Sequence, residues 1–297
     1  MSSPAAARAG LVFALAAHTV WGLFPIYWKL LGHVPAMEVL AHRILWSVGF
    51  TATVLWLSGQ LREVARALRS PALRRALLLS TAMIAINWYL FIWAVSTDRV
   101  TEASLGYYIN PLLNAVLARV VLGERLARLQ VLSLVLAAGA VAYLTLSSGS
   151  LPWVSVVLAV TFALYGLIRK RAQVGALVGL TVETGLAAPA ALLYLAMLRP
   201  PLGHLLTADL STRALLLGAG VATALPLLAF AAAATRLRLT TLGMVQYLAP
   251  TLQLGCAVLL YGEPFRREHA VTFSLIWLAI ALYVVGARRP APTPAPV

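Results

Sequence analysis

Long apolar runs recur along almost the whole chain, and short stretches rich in arginine, proline, glycine or serine separate them. An α-helix needs about 20 residues to cross the hydrocarbon core of a bilayer. Runs near that length fall at about 10–30, 37–57, 73–95, 101–121, 128–147, 152–169, 177–198, 213–234, 240–261 and 269–286. The short alternating segments of a membrane β-barrel are missing from the pattern. It therefore predicts an all-α polytopic membrane protein with ten transmembrane helices. Composition agrees: 61% of residues are hydrophobic and 11% charged, against roughly 45–50% and about 25% in soluble domains.

Charge then orients the spans. In a soluble chain a net charge of +14 would suggest a nucleic-acid partner. Here most cations lie between the apolar runs, as the positive-inside bias requires, and no nucleic-acid partner is expected. With a cytoplasmic N-terminus, fifteen of the 23 Lys and Arg fall in inside segments and six in outside ones, while Arg43 and Arg119 lie within spans. This asymmetry predicts that both termini are cytoplasmic. Only Arg8 precedes the first run, which is longer than a signal-peptide core, so a retained first span is expected. The Pro-rich close, RRPAPTPAPV (288–297), is expected to be disordered. The single cysteine, Cys256, sits in an apolar run, which excludes an intramolecular disulfide or a cysteine metal cluster and suggests packing.

The chain also resembles itself. AVSTDRVTEASLGYYINPLLNAVLARVVLGE (94–124) aligns with AAATRLRLTTLGMVQYLAPTLQLGCAVLLYGE (232–263). One offset pairs Arg99 with Arg238, Thr101 with Thr240, Tyr108 with Tyr247, Pro111 with Pro250 and Gly123-Glu124 with Gly262-Glu263. Slightly different offsets pair Glu38 with Glu183 and Trp21-Gly22 with Tyr165-Gly166. The uncharged turn LSSGSLP (146–152) divides the chain into five-helix repeats at 1–148 and 149–287. Because five is odd, the second copy enters from the opposite side. Inverted repeats of this kind belong to transporters with a midplane substrate site.

Polar residues within the spans are the candidate site. Tyr107, Asn110 and Asn114 are spaced i, i+3, i+7 on one helical face. Their repeat counterparts include Gln246 and Gln253. Lipid offers no hydrogen bonds, so such a face must meet protein or water. Pro111 and Pro250 each remove a helix donor, freeing the carbonyls of Tyr107 and Gln246. Interrupted helices at matching positions point to a transport site; interhelical hydrogen bonding that only holds the bundle is the other reading. Glu38, His42 and Trp46 share a second face with Arg43 beside them, and Glu38 and Glu183 are the available partners for that arginine. A carboxylate beside a histidine suits proton coupling, while an interfacial cluster reaching into water suits the same residues. Asn87 and Trp93 in the third span complete the set, as a lone polar group and part of an aromatic crowd.

Nucleotide and hydrolase signatures are missing: no GxxxxGK[ST], HExxH or GxSxG occurs. No catalytic residue, metal or cofactor is expected. The motifs VPAMEVLAHRILWS, NWYLFIWAV, EASLGYYINPLLN, LGERL, FALYGLIRK and AAATRLRLTTLGMVQYLAPTLQ resemble the RarD family, in the EamA branch of the drug/metabolite transporter superfamily. That resemblance covers about residues 10–286. It implies a ten-helix inverted-repeat carrier in a bacterial inner membrane, exporting small organic metabolites or drugs. Two function classes stand beside it: a passive facilitator or channel, and a membrane-embedded lipid-modifying enzyme. The enzyme would want paired aspartates, whereas Asp98 and Asp209 are the only two and lie far apart. The expected partners are a small organic solute, the lipid bilayer and protons, with the chain a monomer or a homodimer.

Overall fold

The structure is a computed structural model that describes residues 4–121, 123, 126–237 and 239–287. The tail at 288–297, Glu124, Arg125 and Arg238 lie outside the described residues. Among the described residues the chain is all-helical, with no strand.

The first apolar run forms α1 (Pro4–Gly22) and α2 (Phe24–Leu30), separated at Leu23. Pro25 explains the break. A proline has no N–H to give, and its ring would press on the carbonyl four residues back, that of Trp21. Near the start of a new helix the same proline is harmless. There follow α3 (Ala36–Leu57), the short α4 (Leu61–Arg69), α5 (Pro71–Ser96), α6 (Val100–Val121) and α7 (Arg128–Ser148). Gly149, at φ +70°, ends α7 in the left-handed conformation that glycine adopts without strain. The second half comprises α8 (Trp153–Ala172), α9 (Ala176–Met197), the single turn α10 (His204–Thr207) and α11 (Leu210–Ala234). It closes with α12 (Leu239–Val245), α13 (Leu248–Gly255), a π-helical turn at Cys256–Leu260 and α14 (Arg267–Ala287).

Among the described residues eight helical segments are long and apolar enough to cross a membrane: Ala6–Leu30, α3, α5, α7, α8, α9, α11 and Arg267–Gly286. The 22-residue α6 has the length but carries the polar face, and 239–260 is divided into short pieces. Helix α4 is different. Its sequence LREVARALR buries only Ala67 and turns its arginines outward, so it is an amphipathic segment between two apolar helices.

The firmest helix pairings are α7 with α14, α3 with α9, α6 with α8, α5 with α8, α3 with α11 and α1 with α11. Helix α13 packs on α1 and on α6. Every one of these joins 4–148 to 153–287, so the halves interleave. Two glycines let backbones meet. A Cβ on Gly106 would sit 2.7 Å from the Ser155 carbonyl oxygen, and one on Gly220 would collide with the backbone of Trp46 and Ser47. These are close crossings of α6 on α8 and of α11 on α3. The largest core, including Trp28, Val39, Ile44, Phe91, Leu158 and Leu216, fills the space between α2, α3, α5, α8, α9 and α11. A second, built around Leu112, Ala140 and Phe273, joins α6, α7 and α14.

Candidate functional site

Arg43 lies at the centre of the bundle on α3, only 4% exposed. Its Nε donates to Thr223 Oγ1 on α11 at 2.9 Å. Its guanidinium lies 4.0 Å from the ring centroid of Trp88, 5.0 Å from that of Trp28 and 5.8 Å from that of Phe24. The expected carboxylate partner is not there. Among the described residues neither Glu38 nor Glu183 pairs with Arg43; each has other partners. Helix geometry explains part of this. Glu38 precedes Arg43 by five residues, which turns the two side chains about 140° apart.

The polar face of α6 is turned toward α8. Tyr107 donates through its hydroxyl to Asn87 Oδ1 at 3.0 Å. Asn87 Nδ2 in turn reaches the Leu158 carbonyl and Thr161 Oγ1, both at 3.0 Å. Asn110 Nδ2 donates to the Ala159 carbonyl at 3.2 Å, and Asn114 Nδ2 donates to Asn110 Oδ1 at 3.0 Å. Phe91 and Phe162 stand edge-on to Tyr107, with centroids 5.7 and 5.8 Å away. Two short hydrogen-bonded chains thus run from α6 to α8: Tyr107 through Asn87 of α5 to Leu158 and Thr161, and Asn114 through Asn110 to Ala159. The first chain's neighbour in space is the Arg43–Trp88 stack, since Tyr107, Trp88 and Tyr27 pack against the same core.

Gln253 has a separate place. Its Nε2 donates at 3.2 Å to the Trp21 carbonyl, the oxygen that Pro25 leaves without a helix donor. Its Oε1 is buried and has no partner among the described residues. Gln246 stands at the interruption between α12 and α13, and its side chain makes no hydrogen bond among the described residues. That interruption falls at the residue whose carbonyl Pro250 frees. Pro111, by contrast, lies inside an unbroken α6, so the two prolines do not produce matching breaks. Trp93 lies apart from Asn87, about 9 Å further along α5, against Trp153 and below Arg99.

Two buried carboxylates form clusters of their own. Glu38, 2% exposed, accepts from the His204 backbone N–H at 2.6 Å and contacts His204 Nδ1 at 3.0 Å. His42 Nε2 is 4.0 Å from Glu38 Oε1. Gly203, at φ +50°, lets the chain turn against this carboxylate, and a Cβ there would touch it. Glu183, 1% exposed, accepts from Ser80 Oγ at 2.6 Å and from the Tyr165 hydroxyl at 3.3 Å, with Arg169 Nε 3.7 Å away. Arg169 also donates to the carbonyls of Val174 and Gly175. His204 follows the C-terminal end of α9, so that end lies beside the start of α3. Glu183 lies about 20 Å back along α9 from that end, a third of the way into the helix. The clusters therefore lie at different depths of the bundle. A cavity of about 10 Å³, walled by Ile44, Ile84, Trp88 and Glu183 among others, lies between the second cluster and Trp88.

Several of these residues have no sequence signal. Arg169 belongs to the basic run Arg169-Lys170-Arg171, which reads as a cytoplasmic charge cluster. His204 stands in a connecting loop, and Ser80 and Tyr165 are unremarkable polar residues in apolar runs. Glu263 is a further case: its carboxylate accepts from the backbone amides of Val100 and Thr101 at 2.6 and 2.7 Å. Only the repeated Gly-Glu pair marked it.

The EamA-like transporter family model matches residues 8–146. Together with the apolar helices, this makes the chain a multi-pass membrane transporter of the drug/metabolite type. Protein RarD of Salmonella typhimurium is 46% identical over 281 residues, spanning 94% of this chain and 96% of that protein. An uncharacterized transporter of Vibrio cholerae is 43% identical over 284 residues, spanning 95% and 94%. The chain belongs to the RarD family, and it is a protein of the bacterial inner membrane. A crystal structure at 18% identity superposes with a TM-score of 0.60, over 95% of this chain and 99% of that one, and so shares the fold.

Proposed function

We propose that the chain is a secondary-active permease for small organic solutes, built from two inverted five-helix repeats and working by alternating access around the Arg43–Tyr107 layer. One observation carries this reading: the helix contacts keep their pattern when the halves are exchanged. If the spans are counted as ten, α3–α9, α7–α14 and α6–α13 each map onto themselves. Likewise α6–α8 maps onto α1–α13, α5–α8 onto α1–α11, and α5–α9 onto α3–α11. Helices related in this way can trade roles across the membrane, which is the geometry alternating access needs.

The carboxylate clusters give the movement its latches. Glu38 ties the start of α3 to the α9–α11 connection, and Glu183 ties α9 to α5 and α8. They correspond in the repeat and sit at different depths, about 20 Å apart along α9. Protonating one carboxylate would weaken its latch and free the helices it joins, which is a route to proton coupling. Opening then moves helices around the shared centre rather than one half against the other, because the halves interleave. On this reading both termini are cytoplasmic.

Solute flux into and out of proteoliposomes, with and without a pH gradient, tests the proposal. Wild-type protein should concentrate or expel a solute when the gradient is imposed. Glu38→Gln and Glu183→Gln should each uncouple flux from the gradient while leaving exchange at equal pH. Gradient-driven flux that survives both substitutions removes the coupling role, and flux that only ever equilibrates identifies a facilitator.

A further inference from the structure

Among the described residues Arg43 is a buried cation without a counter-ion. Of its three nitrogens, Nε alone has a protein acceptor, the Thr223 hydroxyl. Nη1 and Nη2 donate to no described residue, yet neither is among the fully enclosed polar atoms that lack a partner. Both therefore keep some accessible surface. No carboxylate among the described residues pairs with Arg43, since Glu38 and Glu183 are held by other partners. Tyr27 and Tyr107 already donate to Leu215 and Asn87.

An intramembrane cation is expensive and marks function by default. Aromatic faces and one neutral hydroxyl ease that cost without neutralising the charge. What remains is a planar fork of two nitrogens over the Trp88 ring, with no protein acceptor among the described residues. That is the donor geometry that takes a carboxylate bidentately, and it is a task to which lysine is poorly suited.

We propose that Arg43 is the anion-recognition group of the solute site. The transported solute carries a carboxylate that docks on Nη1 and Nη2, and its apolar or aromatic body lies among Trp28, Trp88 and Tyr107. The inference rests on the permease reading and narrows its substrate class to small organic acids.

The test compares acids with their neutral amides on the purified full chain: benzoate, phenylacetate and phenylpyruvate against benzamide and phenylacetamide. A charge-assisted pair is worth about tenfold to a hundredfold in affinity. Wild type should bind the acids at least about tenfold better than the amides, and Arg43→Met should erase that preference. The same variant should melt no lower than wild type. Thr223 Oγ1 still donates to the Ala219 carbonyl at 2.8 Å, so nothing is orphaned, and removing an uncompensated buried ion tends to be neutral or stabilising. Arg43→Lys should fall between the two, keeping charge and losing the fork. If Arg43→Met does not fold, the Lys variant decides: an undiminished acid preference there overturns the proposal. So does equal binding of acids and amides by wild type, or an acid preference that survives in Arg43→Met. Vesicle flux separates this from the permease reading. Neutral solutes carried equally by wild type and variant would overturn the Arg43 assignment alone. Acid binding that depends on Arg43, with no flux of any probe, would leave the assignment standing and sink the permease.

Discussion

Glu263 closes the N-terminus of α6 from the other half of the chain, and removing its carboxylate should loosen the bundle. The first amides of a helix have no carbonyl within it to receive them. Glu263 supplies both oxygens, at 2.6 and 2.7 Å, to the amides of Val100 and Thr101, and it is only 6% exposed. A hydrogen bond to a charged group contributes about 1.5–3 kcal/mol, and loss of an N-cap costs about 0.5–2 kcal/mol. Two bonds to a single carboxylate share its desolvation cost, so they do not add in full. Glu263→Ala should therefore cost roughly 2–4 kcal/mol. Glu263→Gln should recover less than half, because its amide nitrogen would face one of the two N–H donors. At roughly 2–4 °C per kcal/mol, the Ala variant should melt about 5–10 °C lower. The chain provides its own reporter, since Cys256 is its only cysteine and is buried in the turn seven residues before Glu263. Labelling by a thiol-reactive fluorophore during heating should begin earlier in the Ala variant, and the Gln variant should follow it closely. A Gln variant that melts and labels like wild type would show that the charge does not hold α6, and the reasoning would fail.

Other predictions follow from the same geometry. Gly220→Ala places a methyl against the Trp46–Ser47 backbone and should cost about 1–3 kcal/mol by overpacking, read as a lower melting temperature. Gly49→Ala has open space at the same test position and should be silent in that assay. Asn87→Ala removes the acceptor for Tyr107 and two donors to α8, and should lower stability by about 0.6–2 kcal/mol per contact, more than Tyr107→Phe does. Hydrogen bonds from Ser211 and Thr212 hold the Asp209 carboxyl down to about 2. Its unfolded value is about 3.9, so the ionised cap of α11 stabilises fully above that pH and its contribution is lost as pH falls through about 2. Asp209→Ala should melt below wild type at neutral pH, and the gap should narrow on acidification toward that value.

Helix boundaries were legible because they depend on local pattern. The run at 37–57 is Ala36–Leu57, and the run at 177–198 is Ala176–Met197. What the pattern misses is whatever depends on distant partners or single residues. The split at Leu23 needs only Pro25 against Trp21, yet apolarity continues straight through it. Tyr107, Asn110 and Asn114 share one face by their spacing, but nothing local says that Asn87 of α5 receives the first and the Ala159 carbonyl of α8 the second. Arg43 looked as though it needed an acid, and both acids were present in the sequence. Only packing reveals that Glu38 is held by His204 and Glu183 by Ser80, Tyr165 and Arg169. Those partners lie outside any window over which periodicity speaks.

The interleaving of the halves has a bearing on how the molecule is made. Helices α3, α5, α6 and α7 all have their principal neighbours in residues translated later. Synthesis at about 5–20 residues per second leaves on the order of ten seconds before the second half is complete. During that interval Asn87 and Asn110 have been delivered into the bilayer, while the carbonyls of Leu158 and Ala159 that will receive them have not. Insertion must therefore come first and assembly second, with the early spans stored singly in lipid or beside a chaperone. By the same logic the halves made as two separate polypeptides should recognise each other, since nearly everything that orders either one is carried by its counterpart.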